Sequence, residues 1–165
     1  MFNFAIVGCG YWGPNLVRNC YETEGASVSW ICDIDSRRLE GVTRRYPGIE
    51  TTTGYRDIID DRKTDVVVVA TPVHLHFEIA MAALRAGKHV LIEKPITQNA
   101  DDARALIDEA DKRRLTIAVD HTFIHTGAVQ KIRELMDAGE LGEPYYYDSI
   151  RVNLGLFQHD VNVLW

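Results

Sequence analysis

Apolar residues along this chain form two kinds of pattern, short continuous runs and a helical spacing of three to four positions. Five short runs predict β-strands at residues 2–7, 28–32, 65–70, 89–92 and 116–120, and the threonine-rich segment 50–53 is a further strand candidate. Strands that alternate with helices build a parallel sheet covered by those helices on both faces. The pattern therefore predicts an α/β fold with a Rossmann-type, doubly wound parallel sheet.

Helical spacing predicts the covering helices between these strands. The apolar positions of two of them are Leu75, Ile79, Ala82 and Ala86, then Ala103, Leu106, Ile107 and Ala110. The second helix has Asn99 as its predicted N-cap, acidic residues in its first turn and the basic run 112–114 at its end, which suits the helix dipole. A further helix is predicted at residues 129–138.

The pattern changes after "GELGEP" at residues 139–144. The following stretch, "YYYDSIRVNLGLF", is aromatic and β-branched, and it predicts the first strand of a second, more antiparallel sheet. We therefore expect three segments: a dinucleotide-binding domain at 1–122, a connecting helix at 123–143, and the start of a truncated α+β second domain at 144–165. Arg151 in the last segment is either a substrate contact or a surface arginine.

The composition and charge of the chain restrict the partners that it is expected to bind. The chain has 165 residues and a net charge of −6, without a basic block that would follow a phosphate backbone, so nucleic acid is not an expected partner. Three cysteines without paired spacing indicate small buried side chains in a reducing compartment. No signal peptide and no 18-residue apolar run is present, so we expect a soluble, cytoplasmic protein without a membrane partner.

A glycine motif carries the first functional signal. Gly8, Gly10 and Gly13 follow a predicted strand and open a predicted helix, which is the context of a dinucleotide fingerprint. Asp33 ends the second strand, where an acid would meet the adenosine ribose hydroxyls. The alternative is a tight glycine turn with a surface aspartate.

The same region bears on which dinucleotide binds. A carboxylate at Asp33 attracts a ribose 2′-hydroxyl and repels a 2′-phosphate, which favours NAD over NADP. Arg37 and Arg38 either hold a 2′-phosphate or are solvated residues early on a helix. Tyr11 and Trp12 either line the cofactor pocket or pack on the sheet.

The segment "ATPVHLHFEIAMAALRAGKHVLIEKPIT", residues 70–97, resembles the glucose-fructose oxidoreductase and inositol dehydrogenase family (Gfo/Idh/MocA). The likeness lies in the T-P-x-x-x-H turn of Thr71, Pro72 and His76, and in the A-G-K-H-V-x-x-E-K-P run of residues 86–95. It implies an NAD(P)-dependent oxidoreductase in which Thr71, Pro72, His76 and Glu93 lie near the ribose and nicotinamide.

Lys94 is the catalytic residue that the resemblance implies. It leaves the carboxyl end of a central strand, where α/β sheets place their ligands, and a lysine there suits proton transfer with a sugar hydroxyl. The alternative is an exposed cation at a strand end. The family's cis peptide bond before the following proline would aim the Lys94 side chain.

The loop "GYWGPNLVRN" resembles the branch of the family that oxidises nucleotide-linked sugars, including UDP-N-acetylglucosamine and UDP-N-acetylglucosaminuronate 3-dehydrogenases of surface-polysaccharide synthesis. Simple sugars and inositols remain alternative substrates. The resemblance also implies a homo-oligomer for the full-length protein.

His121 follows the sixth strand, as either a second catalytic residue facing the nicotinamide or a core histidine. It stands four residues before His125, but no acidic or cysteine ligand joins them, so no metal is expected. The D-x-x-x-H motif of the family's second domain is not matched by His159 and Asp160. Two functions follow: a sugar dehydrogenase, or a non-catalytic dinucleotide-binding or redox-sensing module.

Overall fold

The computed structural model describes residues 1–150 and residue 152. The chain divides into two units, Met1–Asp120 and His121–Trp165. Among the described residues, no helix is long and apolar enough to cross a bilayer.

The first unit contains one six-stranded parallel sheet with the strand order β3-β2-β1-β4-β5-β6. Its strands are β1 (Phe2–Val7), β2 (Ala26–Cys32), β3 (Glu50–Thr52), β4 (Val66–Val69), β5 (His89–Ile92) and β6 (Ile117–Val119). Its helices are α1 (Gly13–Glu22), α2 (Ser36–Arg45), α3 (Tyr55–Asp60), α4 (His76–Arg85) and α5 (Ala100–Arg113). The predicted Rossmann-type fold is confirmed, and each of the six strands predicted for this unit overlaps an observed one.

The centre of the sheet is covered on both faces, which explains the continuous apolar runs at residues 4–7 of β1, Val66–Val69 of β4 and residues 90–92 of β5. Val67 and Val69 belong to one core cluster with α4 and α5, whereas Val68 belongs to the other with α1 and α2. Cys9 and Cys32 are buried, and Cys20 is half-buried. Burial, followed by the nearby Asp33 carboxylate, raises the pKa of the Cys9 thiol to about 12.

The predicted faces of two helices need correction. On α4, Ala80, Ala83 and Leu84 are buried together with Ile79, whereas Ala82 is only half-buried and Ala86 lies exposed beyond the helix. The reason is that α4 contacts both the sheet and α5, so its buried surface is wider than one stripe.

On α5, the core side chains are Leu106 and Ala110, and Ile107 is 44% exposed because it lies beside that stripe. The predicted cap of this helix is confirmed, since the Asn99 side chain accepts a hydrogen bond from the Asp102 backbone N–H at 2.8 Å.

The second unit contains a short 3₁₀ turn, Thr122–His125, and the helix α6 (Gly127–Asp137), which overlaps the predicted helix at 129–138. Residues 144–150 form no strand, contrary to the prediction for this stretch. A strand needs a neighbour to take its backbone hydrogen bonds, and these residues have none in the described part of the chain. Arg151 and residues 153–157 of the predicted strand lie outside the described residues.

Candidate functional site

The candidate site lies at the carboxyl edge of the sheet, where β1 and β4 are neighbours. The chain passes from β1 to β2 on one side and from β4 to β5 on the other, so the connections diverge there. Such a switch point forms a crevice in which α/β sheets bind ligands. The turns after β1, β4 and β5 carry the glycine motif, Thr71–Pro72 and Glu93–Pro95 respectively.

The turn after β1 requires two of its glycines. Gly8 has a φ of +106°, and a Cβ there would lie 2.5 Å from the Ala70 carbonyl oxygen. At Gly13 a Cβ would meet the Gly8 carbonyl oxygen. Gly10 differs, because the nearest atom to its Cβ position is an Arg38 nitrogen 4.0 Å away. The loop is thus packed tightly at both ends and open at its middle glycine, where a phosphate would approach the backbone.

Asp33 lies beside this loop and is only 5% exposed. Its Oδ2 accepts a hydrogen bond from the Cys9 backbone N–H at 2.7 Å, and its Oδ1 accepts one from the Asp35 N–H at 2.8 Å. The carboxylate therefore fixes the glycine loop to the turn after β2. Oδ1 keeps a second acceptor position for a hydroxyl group, whereas Oδ2 also accepts a hydrogen bond from Arg38 Nη1 at 3.4 Å.

The two arginines after β2 have different surroundings. Arg37 forms a paired contact with Asp35 at 2.8 and 2.9 Å, and this guanidinium holds the pKa of Asp35 down, at about 2. Arg38 instead extends toward the glycine loop, with its Nη1 3.4 Å from Asp33 Oδ2. Both arginines were candidate cofactor contacts from the sequence, and Arg38 is the one that lies near the open middle of the loop.

Tyr11 and Trp12 protrude from the loop. Tyr11 is 77% exposed and Trp12 is 42% exposed. The first unit therefore leaves the Tyr11 ring free of the core, and both aromatic side chains are accessible beside the open glycine.

His76 is buried between the turns that follow β4 and β5. Its Nε2 lies 2.8 Å from the Thr71 carbonyl oxygen, and its Nδ1 lies 2.9 Å from the Pro95 carbonyl oxygen. The ring is 1% exposed, so it contacts backbone and leaves no nitrogen for a ligand. The Lys94–Pro95 peptide bond is cis, as the resemblance implied.

Glu93 and Lys94 follow β5 at this edge. Glu93 is half-buried, and its Oε2 accepts a hydrogen bond from the Lys94 backbone N–H at 3.2 Å. Its side chain also contacts that of Asp120, which follows β6. Burial, followed by the Asp120 carboxyl group, raises the pKa of Glu93 to about 7 against the opposing effect of Lys94. The Lys94 side chain is exposed.

Two buried side-chain oxygens at this edge have no hydrogen-bond partner, Thr71 Oγ1 and Glu93 Oε1. Buried polar atoms are normally paired, so such atoms indicate groups that a ligand would satisfy. Together with the open middle of the glycine loop and the Asp33 carboxylate, they fit a dinucleotide whose phosphates lie at the loop and whose nicotinamide end lies near β4 and β5.

Two predicted residues, His121 and Pro72, lie outside this cluster. His121 belongs to the second unit and is exposed, so its place relative to the site stays a prediction. Asp120 was missed as a site residue by the sequence analysis, although an acid directly after the last strand was a usable signal. Pro72 is exposed at the start of the turn that contains His74 and Leu75.

Comparisons with known proteins agree with this geometry. A model of an oxidoreductase family with an NAD-binding Rossmann fold matches residues 2–121. The chain is 42% identical over 96 residues, 58% of its length and 28% of the relative's, to a dTDP-3,4-didehydro-2,6-dideoxy-α-D-glucose 3-reductase from Streptomyces violaceoruber. It is 31% identical over 135 residues, 82% of its length and 37% of the relative's, to the NADP⁺-dependent scyllo-inositol 2-dehydrogenase IolW from Bacillus subtilis.

Among solved structures, the WlbA dehydrogenase from Chromobacterium violaceum in complex with NADH and UDP-GlcNAcA has a TM-score of 0.79 and 26% identity, covering 86% of this chain and 41% of that one. The chain spans less than half the length of each of these three relatives. The family match covers the glycine loop, Asp33, the turns after β4 and β5, and Asp120. The chain therefore belongs to the Gfo/Idh/MocA oxidoreductase family, and residues 2–121 are its NAD-binding Rossmann domain.

Proposed function

We propose that this chain is the cofactor-binding part of an NAD-dependent dehydrogenase that acts on a hydroxyl-bearing carbon of a sugar or nucleotide-linked sugar. The observation that carries the proposal is the meeting of an open glycine loop, the Asp33 carboxylate and Lys94 at one edge of the sheet. When NAD is bound, its nicotinamide ring would accept or donate a hydride ion. The residues of this chain bind and orient it, and they handle the proton.

The binding roles follow from the contacts. The backbone at Gly10 and the start of α1 would receive the pyrophosphate, because helix N-termini and open glycines favour phosphate. Asp33 would accept hydrogen bonds from the adenosine ribose hydroxyls, and Thr71 Oγ1 and Glu93 would serve the nicotinamide end. Tyr11 and Trp12 would cover the cofactor from the loop, and Arg37 lies at the margin of its adenosine end.

Lys94 would exchange the proton of the substrate hydroxyl. Its backbone N–H is held by Glu93, and its carbonyl side continues into the turn that His76 fixes, while its side chain reaches solvent at the site. A fixed backbone with a free ammonium group suits a residue that must meet a variable substrate. His121 would assist as a second proton-handling residue.

Asp33 supports NAD over NADP, because a buried carboxylate would repel a 2′-phosphate. Relatives are found with either form, since the WlbA structure contains NADH and IolW uses NADP⁺. The WlbA complex with UDP-GlcNAcA supports a nucleotide-linked sugar as the substrate class, and the IolW likeness keeps inositols as the other candidate.

The test is a titration of the chain with NADH and NADPH, followed by quenching of tryptophan fluorescence. We expect tighter NADH binding, and Asp33→Asn should lower the NADH to NADPH preference about tenfold or more. Trp12→Phe identifies whether the loop tryptophan is the reporter, and thermal melting checks that each variant is folded. Absence of binding to both cofactors contradicts the proposal.

Catalysis is tested separately with Lys94→Ala in the full-length protein, since this chain covers less than half the length of its relatives. Turnover of a nucleotide-linked sugar should be abolished, whereas NADH affinity should stay within about twofold because the variant leaves the glycine loop and Asp33 unchanged. A variant with normal turnover refutes the role of Lys94. Cofactor binding without turnover by the wild type would favour the non-catalytic dinucleotide-binding module.

A further inference from the structure

Two acidic residues directly follow two neighbouring strands, and their side chains lie side by side at the carboxyl edge of the sheet. Ile92 of β5 pairs with Val119 of β6, and the Asp120 backbone N–H donates to the Ile92 carbonyl oxygen at 2.8 Å. The next residues along these strands are Glu93 and Asp120. In a parallel pair, residues in register project to the same face, so their side chains meet.

One oxygen atom of this pair lacks a hydrogen-bond donor. Glu93 Oε2 accepts the Lys94 backbone N–H, but Glu93 Oε1 is buried without a partner. Ionised carboxylates are acceptors only, so two of them in contact repel and leave Oε1 unsatisfied. One proton on Glu93 converts the same contact into a hydrogen bond with Asp120.

The surrounding charges agree with a proton at this position. Lys94 and Asp120 are the charged residues that act on Glu93 in the described part of the chain. The backbone bond and positive charge of Lys94 favour ionised Glu93, but burial and Asp120 outweigh them and raise the pKa of Glu93 to about 7. The groups on β5, β6 and the turn after β5 thus keep Glu93 protonated up to about pH 7, and this proton lies against the Asp120 carboxylate.

We propose that Asp120 is a positioning residue of the site, which with Glu93 holds one proton whose occupancy follows the charge of the bound nicotinamide. This inference rests on the proposed function for the identity of the ligand. The shared proton itself is a property of the cofactor-free chain.

The sign of the effect follows from electrostatics. With its proton the pair carries one negative charge, and without it two, so a positive charge nearby favours release of the proton to solvent. The oxidised nicotinamide ring is positive and the reduced ring is neutral. NAD⁺ affinity should therefore rise with pH around neutrality, while NADH affinity should not.

The first experiment uses the cofactor-free chain with ¹³C-labelled side-chain carboxyl carbons and follows their NMR titration. We expect Glu93 to titrate near pH 7. Asp120→Asn should return this titration toward the ordinary glutamate range, because the amide donates to Glu93 and favours its ionised form. Asp111→Asn, an exposed acid at the far end of α5, is the matched control and should change nothing. Titration of wild-type Glu93 in the ordinary range overturns the shared proton.

The second experiment measures NAD⁺ and NADH affinity by calorimetry between about pH 6 and pH 8. Release of one proton sets a limit of about tenfold per pH unit for the rise in NAD⁺ affinity, and we expect a several-fold rise within that limit. Asp120→Asn should flatten the NAD⁺ curve. Equal pH slopes for NAD⁺ and NADH would overturn the link to nicotinamide charge.

The two experiments separate this inference from the proposed function. Failure of both cofactors to bind overturns the proposed function and the link to nicotinamide charge, while the NMR titration still decides the shared proton. Normal cofactor binding with an ordinary Glu93 titration overturns the inference alone.

Discussion

The two edges of the sheet differ in the hydrogen bonding of buried side-chain atoms. At the amino edge, Lys88 is 4% exposed, and its ammonium group donates to the carbonyl oxygens of Asp61 and Thr64, the second at 2.9 Å. Thr64 Oγ1 in turn donates to Asp61 Oδ2 at 2.8 Å. At the carboxyl edge, Thr71 Oγ1 and Glu93 Oε1 are buried without partners.

This difference separates polar residues that stabilise the fold from those available to a ligand. At the amino edge, Lys88 and Thr64 donate hydrogen bonds to acceptors within the protein, so these polar groups stabilise the fold and are not available to a ligand. Two of the three unpaired buried oxygens in the described residues lie at the carboxyl edge, and the third, the Tyr46 hydroxyl, lies at the end of α2. The carboxyl edge thus leaves binding capacity unused in the cofactor-free chain.

The largest expected effect tests how closely the carboxyl edge is packed. Gly8→Ala should destabilise the first unit by about 3 to 5 kcal/mol, because the new Cβ meets the Ala70 carbonyl in addition to the unfavourable φ. Gly48→Ala is the matched control, since Gly48 has a φ of +107° and no atom within 4 Å of its Cβ position. It should cost about 1 to 2 kcal/mol in urea unfolding. Equal losses for the two variants would show that the contact contributes nothing.

The next effect compares two lysines. Lys88→Met should cost about 2 kcal/mol of unfolding free energy, because two buried carbonyl oxygens lose their donor. Lys94→Met should change stability by less than about 0.5 kcal/mol, since the Lys94 side chain is exposed. Chemical unfolding measures both. If Lys94→Met were the more damaging, the assignment of Lys94 to function would be undermined.

Glu93→Gln should stabilise the protein in a pH-dependent way. Folding favours the protonated form of Glu93, so the wild type loses stability as pH rises from the ordinary value of 4.5 through about 7. Glutamine stays neutral, so the variant should be more stable than the wild type by about 1 to 3 kcal/mol above pH 7 and equal to it near pH 4.5. Melting curves across this range check the sign, and a constant difference at all pH values would argue against it.

The smallest effect compares two threonines. Thr64→Val removes a hydroxyl that is hydrogen-bonded to Asp61 and should cost about 1 kcal/mol. Thr71→Val removes a buried, unpaired hydroxyl, so stability should be unchanged or rise by up to about 1 kcal/mol, while NADH binding weakens. Melting temperature and NADH titration are measured on the same samples. A stability loss at Thr71 as large as that at Thr64 would remove the distinction between the edges.

The sequence predicted the central strands well because both of their faces are covered, so these strands are apolar runs, whereas the edge strand β3 is polar. Val66–Val69 shows this in its four consecutive valines. The buried faces of α4 and α5 were harder, because alanines fit at helical spacing on more than one side. Ala82 and Ala86 matched the pattern, but contacts with the sheet and α5 bury Ala80, Ala83 and Leu84 instead.

The site was predictable where a residue type is tied to backbone geometry. Gly8, Gly13 and Asp33 have contacts that few other residues allow. The inward position of Arg38 relative to Arg37 depends on a competing contact of Arg37 with Asp35, and the Glu93–Asp120 contact depends on the register of β5 with β6. The Glu93–Asp120 contact joins distant parts of the sequence, and the Arg37–Asp35 contact, although local, depends on side-chain conformation, so both required the structure.

The position of His76 couples the turns after β4 and β5 into a single structural unit. One buried ring is wedged between the carbonyl oxygens of Thr71 and Pro95, so neither turn can be exchanged without disturbing the other's anchor. Loop grafting that aims to change substrate preference should transplant both turns together with the first turn of α4. Insertions are better placed elsewhere, for example near Gly48, whose neighbourhood is open.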